Sequence, residues 1–478
     1  MKKYFYLYIF LNVAYLCESY EGCCEDCCDC LYSVEIENDT SGKGFLIKKK
    51  GEVVVKLETL QDYIDHIVEL INKHKNTDTL LCGLSILTEP NNIKGYEDMK
   101  KKVETIFNDK NDLGFGNLKF DDLSSLEKRS IGSMLGMGIG DAYGAIFEFK
   151  PVEVNLYDAD KYNQNFDSNE DWKWGNNGTY CGWTDDSSMG LCLADSLIVN
   201  NGLFKPRDIM NRFLAWWHCG YNNASMYQKT KMHSWGLGGT IGPSLNNYLE
   251  NQKIYKGTGG EFASGNGSIM RNAAIPIAYN SNLGDALKYA GDQSYITMRG
   301  NEAAGCCRLL TYIVWNILNE NKKNTLKNTL EILLTEENLK EVNLVTDSVK
   351  GLALSNEGVK SDRDKGSLEN WNWKNKIFKY NEKRKNFKPG YIGSFAMDNM
   401  AMSLHILYHT TSFAQAINVA THLCGDADSV ASVVGQIAGA FYGVENIPAN
   451  WIKKLYVYDH GDFTFKALLL AHLFDEES

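Results

Sequence analysis

The stretch that decides the fold is Cys424-Gly425-Asp426-Ala427-Asp428-Ser429-Val430-Ala431-Ser432-Val433-Val434-Gly435-Gln436-Ile437-Ala438-Gly439-Ala440-Phe441-Tyr442-Gly443. From Val430 to Tyr442 the apolar positions follow helical spacing, not alternation. Ala431, Gly435, Gly439 and Gly443 recur every four residues, so they share one face of that helix. A face with so little side chain lets a second helix approach closely, and packing explains these residues better than catalysis does. The same texture, apolar and rich in Gly, Ala and Ser, returns in Ser130–Gly144, Ser188–Val199, Ile209–Trp217, Glu302–Leu318 and Met397–Tyr408. No run alternates, so the main domain is expected to be all-α. Gly136, Gly138, Gly140 and Gly144 hint at a phosphate loop. They follow no strand and lack the GxGxxG context, so close helix packing is the better reading.

Around this core the 478-residue chain divides into three. Residues 1–30 form a leader: Lys2-Lys3, an apolar run from Tyr4 to Leu16, then small Cys17 and Ser19, as in a secretory signal. The run is short for a membrane span. The expectation is a cytoplasmic protein or, alternatively, one in the secretory pathway or anchored to a membrane through this leader alone. Six of the 13 cysteines crowd these residues, ending in Cys23-Cys24-Glu25-Asp26-Cys27-Cys28-Asp29-Cys30. Zinc binding, acylation and disulfides all remain open there. The remaining cysteines are scattered, as small buried apolar residues are. Residues 31–120 read as a small α+β module with a strand at Val53-Val54-Val55, a helix over Leu57–Lys73, an apolar run Leu80–Leu87 and a helix over Tyr96–Phe107. It carries no legible motif. Residues 121–470 form the main domain, with a polar, Asn/Lys-rich, partly helical insertion near 320–388.

Hydrophobic residues make up 44% and charged residues 23%, as in a soluble globular protein. A net charge of −11 argues against a nucleic-acid binder, which needs a basic face.

Chemistry concentrates in four segments. Thr184-Asp185-Asp186-Ser187-Ser188 stands just before an apolar helix. Alone it reads as an N-terminal cap, since Asp, Ser and Thr accept backbone N–H bonds. Asp426-Ala427-Asp428-Ser429 stands in the same position before another. Two such acidic, hydroxyl-bearing clusters are harder to explain as caps, and carboxylates meeting in a core repel unless cations neutralise them. The pair therefore predicts one or two Mg²⁺ or Mn²⁺ ions, provided the fold joins the clusters. Glu148, after Gly140-Asp141-Ala142, is the acid/base candidate, against the plain reading of a solvated helix-end carboxylate. Gly265-Asn266-Gly267-Ser268-Ile269-Met270-Arg271 exposes backbone N–H groups suited to phosphate or ribose, or is an ordinary turn. Arg271 reads equally as a structural partner. His422 and Trp183 read as core residues at least as readily as ligand contacts.

These four segments, in this order, resemble the ADP-ribosylglycohydrolase family; Gly390-Tyr391-Ile392-Gly393-Ser394 resembles the loop before its late helix. The likeness spans about residues 125–460. It implies an orthogonal multi-helix fold, two Mg²⁺ or Mn²⁺ ions, and ADP-ribose or an ADP-ribosylated protein as partner. Thr184, Asp185, Asp186, Asp426, Asp428 and Ser429 fall on its metal-ligand motifs, Ser429 standing where Thr is usual. Glu148 falls on a carboxylate that contacts the metal centre or the reacting group in some members, and Glu148 or one of Asp426 and Asp428 is expected to take a proton from the water or deliver one to the leaving group. Gly265, Asn266, Gly267, Ser268, Met270, Arg271, Tyr391, Gly393 and Ser394 lie where the family holds ADP-ribose. Two positions depart: Met298 stands where His is common, and Gly236 where Asp is common. The expected activity is hydrolysis of the glycosidic bond of an ADP-ribose conjugate by a monomer. A non-catalytic ADP-ribose binder and a two-metal nucleotide phosphohydrolase are the alternatives.

Overall fold

The computed structural model describes residues 34–38, 45–49, 52–57, 95–107, 118–152, 157–162, 182–224, 234, 236–251, 254, 263–320, 323–360, 368–378 and 389–475. The leader with its cysteine cluster, the helix expected over Leu57–Lys73 and the apolar run Leu80–Leu87 lie outside these residues. Near the N-terminus, β1 (Val34–Asn38), β2 (Phe45–Lys49) and β3 (Glu52–Leu57) pair antiparallel in sequence order. The Val53-Val54-Val55 run lies in β3.

Fifteen α-helices are found among the described residues. The first, α1 (Tyr96–Ile106), buries Tyr96, Met99, Val103 and Ile106. The domain core then begins with α2 (Ser125–Gly144), started by a capping box in which Ser124 and Glu127 satisfy each other's backbone N–H groups. Then come α3 (Asp185–Val199), α4 (Pro206–Cys219), α5 (Ile241–Asn251), α6 (Ala274–Ala278), α7 (Leu283–Thr297) and α8 (Asn301–Leu318). The C-terminal part adds α9 (Leu326–Leu333), α10 (Asp347–Ala353), α11 (Ala396–His409), α12 (Phe413–His422), α13 (Ala427–Tyr442), α14 (Ala449–Asp459) and α15 (Asp462–Ala471). The main domain is all-α apart from a hairpin of two-residue strands, β4 (Val359–Lys360) and β5 (Leu368–Glu369). α1 packs on the domain through Tyr96 edge-on to Phe465, Phe107 stacked on Tyr456, and a Lys102–Glu127 ion pair.

The domain is organised on the seam between α2 and α13. A Cβ placed on Gly136 would lie 2.0 Å from the carbonyl oxygen of Gly435, and one on Gly132 would lie 2.2 Å from that of Gly439. At Gly140 the obstacle is the carbonyl oxygen of Ala431, at 2.1 Å. The two small-residue stripes thus lie backbone to backbone. Gly443 belongs to the helix end, where its φ of 79° stops the chain. Ser133 and Gln436 satisfy polar atoms inside the seam by bonding the Gln436 carbonyl and the carbonyls of Ile269 and Met270.

The polar segment 320–388 contributes more core than its composition suggests. Leu326, Leu330 and Leu333 of α9 are buried, as are Trp371 and Trp373. Trp373 donates from Nε1 to the Leu352 carbonyl, and its own carbonyl takes Nδ1 of buried His405 on α11. Few but large apolar side chains seat this segment.

Candidate active site

Both acidic clusters are the first turns of helices instead of preceding them. α3 begins at Asp185 with Thr184 as N-cap, and α13 begins at Ala427 with Asp426 as N-cap. The cause is electrostatic: carboxylates face the unpaired N–H groups and positive end of a helix. The caps are nonetheless unusual, because neither Thr184 nor Asp426 makes a side-chain capping bond. Asp141 of α2 replaces the cap on α3. Its carboxylate accepts the backbone N–H groups of Thr184 and Ser187, each at 2.9 Å, and the Thr184 hydroxyl at 3.0 Å. The Thr184 hydroxyl thereby stands between the helices, while the Asp426 carboxylate accepts from Asn266 Nδ2.

The α2–α13 seam brings the two clusters together across 244 residues of sequence. Thr184 Oγ1 lies 3.3 Å from Asp186 Oδ2 and 3.4 Å from Asp428 Oδ2. With the Asp141 contact, one hydroxyl meets three carboxylates but has a single proton to donate. The other contacts bring oxygen lone pairs together, and only a cation or an added proton relieves that. Asp186 Oδ1 is buried without a hydrogen-bond partner among the described residues.

The acids form two adjoining triads, Asp141/Asp186/Asp428 and Glu148/Asp426/Asp428, each with ligand oxygens within 4.8 Å of one another. Asp428 belongs to both. Burial first, then neighbouring negative charge, raises Glu148, Asp185, Asp186 and Asp428. Glu148 is pushed up to about 8 and Asp185 to about 7, while Asp186 and Asp428 rise well above the usual carboxylate range. Asp141 is held nearer, at about 6, because bonds from Thr184 and Ser187 offset its burial. Among the described residues, no Lys or Arg forms an ion pair with Asp141, Glu148, Asp185, Asp186, Asp426 or Asp428. A set of hard carboxylate and hydroxyl oxygens with an orphaned acceptor fits divalent Mg²⁺ or Mn²⁺.

Four loops sewn by backbone hydrogen bonds frame this centre. Gly425 pairs with Lys150, and Phe149 donates to the Gly425 carbonyl at 2.7 Å. Asp426 donates from its backbone N–H to the Ile392 carbonyl at 2.8 Å, and Asn266 to that of Ser394 at 2.9 Å. Asn266 Nδ2 donates to Gly393 O and Asp426 Oδ2, both at 3.1 Å, tying the 264–268 turn to the second cluster. Gly393 has a φ of 96°, a left-handed conformation suited to glycine.

Several residues marked in the sequence face elsewhere. Arg271 is fully buried and bonds Gln293 and Thr297 of α7, with its guanidinium over the Phe213 ring at 4.6 Å. Ser268 shares a hydrogen bond with Ser294 at 2.8 Å, and Met270 presents its sulfur to Ser429 at 3.6 Å. Asp185 stands outside both triads, against Gly236, where a Cβ would approach its Oδ1 to 2.2 Å. A side chain at 236 would displace that carboxylate, and the φ of 74° there favours glycine. Met298 fills the space beside Gly267, 2.7 Å from where a Cβ would stand. Trp183 is core: its Nε1 donates to the Asn222 carbonyl and its ring meets Phe463 edge-on. His422 bonds the Asn418 carbonyl and packs on Phe147, so it is no ligand of the centre in this arrangement. Asp141 is the residue whose role the sequence reading missed. The signal was an acid inside a run of small and apolar helical residues, where an ionised group needs a purpose.

A main domain that is all-α apart from one short hairpin, with two adjoining carboxylate groups that share Asp428 and could each hold a metal ion, is thus defined by fold and site. The model of the ADP-ribosylglycohydrolase family matches residues 122–476, and the chain belongs to that family. It is 27% identical over 330 residues to ADP-ribosylarginine hydrolase Tri1 of Pseudomonas putida, covering 68% of this chain and 74% of that protein. It is 23% identical to the ADP-ribosyl-[dinitrogen reductase] glycohydrolase of Rhodospirillum rubrum, covering 69% and 91%. A solved structure titled ADP-ribosylglycohydrolase-related protein complex superposes with a TM-score of 0.52 at 25% identity, covering 73% of this chain and 99% of that one.

Proposed function

We propose that this protein hydrolyses the glycosidic bond joining ADP-ribose to a side chain, at a centre of two divalent cations, Mg²⁺ or Mn²⁺. The observation that carries this reading is Asp428, shared by two carboxylate triads. Asp141, Asp186 and Thr184 would complete one cage with Asp428, and Asp426 the other, with Glu148 beside it as the acid. When bound, such ions would polarise the ribose oxygens and supply hydroxide from water near neutral pH.

The chain's own residues do the rest. Glu148, which burial and its acidic neighbours push up to about 8 in the metal-free protein, is placed to deliver a proton to the leaving group. Asp426, fixed by Asn266, is placed to accept a proton from the attacking water. The backbone of 265–268 and 391–394, sewn to Asp426, holds the ADP-ribose against the centre. Relatives named ADP-ribosylarginine hydrolase, from Pseudomonas putida and Serratia proteamaculans, are each 27% identical and favour arginine as the conjugated residue. The test incubates Mg²⁺- or Mn²⁺-loaded protein with arginine- and serine-linked conjugates and assays free ADP-ribose. Release from the arginine conjugate is expected; no release from any linkage would sink the proposal.

A further inference from the structure

Two large aromatic side chains stand in solvent where the loops close over the carboxylates. Phe149 is 47% exposed and Tyr391 43% exposed, with ring centroids 4.7 Å apart and planes at 32°. Phe149 also has a φ of 58°, a left-handed backbone that a bulky residue rarely adopts. Neighbouring loops impose it: Phe149 donates to the Gly425 carbonyl, Lys150 accepts from Gly425, and a Cβ on Gly390 would lie 2.3 Å from the Phe149 carbonyl oxygen. Backbone strain and an exposed ring both cost stability, and their coincidence beside a reacting centre points to ligand contact.

Resting on the proposed hydrolysis of arginine conjugates, we propose that Phe149, backed by Tyr391, is the platform on which the departing guanidinium stacks. Position places the platform on the leaving-group side. Phe149 directly follows Glu148, the acid that protonates the leaving group, and donates its backbone N–H to the carbonyl of Gly425, the residue before Asp426. The adenine end lies two phosphates and a second ribose farther off. Chemistry selects the occupant: a guanidinium is planar, cationic and weakly hydrated, and it stacks on aromatic faces. Charge agrees, because the acids converging here have no Lys or Arg ion-paired to them among the described residues. Lys150 turns instead onto the Phe147 ring, at 4.6 Å, and among the described residues no cation is found over the Phe149 ring.

Phe149→Leu and Tyr391→Leu keep apolar bulk and remove the rings. The wild-type protein is assayed first with ADP-ribosylarginine; no turnover there overturns the function reading and this inference with it. Given turnover, Phe149→Leu should raise KM for ADP-ribosylarginine about tenfold, the size of a partly desolvated cation–ring contact. Tyr391→Leu should raise it less. In Phe149→Leu, kcat and the calorimetric Kd for free ADP-ribose should stay within about twofold of wild type, and Phe149→Tyr should restore KM. An unchanged KM overturns the proposal. So does a Kd for ADP-ribose that weakens in step with KM, which would mean the rings stack on adenine.

Discussion

The two acidic clusters have the same form in sequence and are held in opposite ways. Thr184 and Asp186 sit at the start of α3 under a carboxylate from another helix, Asp141, which takes two backbone N–H groups and the hydroxyl. Asp426 and Asp428 sit at the start of α13 in a belt of loops, tied by the Ile392 carbonyl and Asn266. The first is anchored by charge-assisted bonds inside the core, the second by backbone pairing at its rim. The difference suits a cleft in which one wall stays fixed while the other meets substrate.

The comparison breaks most sharply at the residue common to both walls. Asp428→Asn should lower ADP-ribose release by at least about 10³-fold, since it removes a ligand common to both triads. It should leave the melting temperature of chelated protein unchanged or higher, because one of the repelling buried acids is gone. A fall in both would show that Asp428 is a folding residue first.

Gly435→Ala tests what brings the walls together. Its Cβ would lie 1.9 Å from the Gly136 carbonyl oxygen, with backbone on both sides and no side chain to yield. A destabilisation of about 3 kcal/mol or more in chemical denaturation is expected. An effect within 0.5 kcal/mol, about that of a surface change, would show that the seam adjusts freely.

Asp141→Asn sharpens the contrast itself. It keeps the shape but weakens the charge-assisted anchor of the first cluster, so Mg²⁺ or Mn²⁺ affinity measured by calorimetry should fall about 10–100-fold. Asn266→Ala, at the rim of the second, should affect metal affinity less and substrate KM more.

The mildest perturbation leaves the sequence intact. In chelated protein Asp141, Asp185 and Glu148 are raised to about 6, 7 and 8, so the folded state holds protons that the unfolded chain releases near pH 4. Stability is then fully present below that unfolded value and lost as pH rises from about 4 through 8. Thermal melts in EDTA should show this decline, and saturating Mg²⁺ should flatten it. A melting temperature that does not fall with pH in EDTA would refute the repulsion ascribed to the cluster.

Much of this was legible beforehand because it is local. Period and small-residue spacing placed α2, α3, α8, α11 and α13 within a few residues. The helix starts moved because the acidic clusters are themselves first turns. Arg271 shows the limit: beside a Gly-rich turn it resembles an anion ligand, yet it bonds Gln293 and Thr297 of a helix more than 20 positions away. Asp141 shows the reverse, an acid whose role appears only once Thr184 and Ser187 are seen beneath it.

By itself, then, the sequence determined the helices, the closely packing face of α13, and the carboxylates and hydroxyls available to a hard cation. Those follow from periodicity and side-chain chemistry, which act over a few residues. Only the tertiary structure decided that Asp428 serves two triads, that Asp141 caps α3 and that Asp185 turns toward Gly236. These depend on two helices meeting backbone to backbone, a contact between residues about 300 positions apart, as in the Ser133–Gln436 bond, that no local pattern encodes.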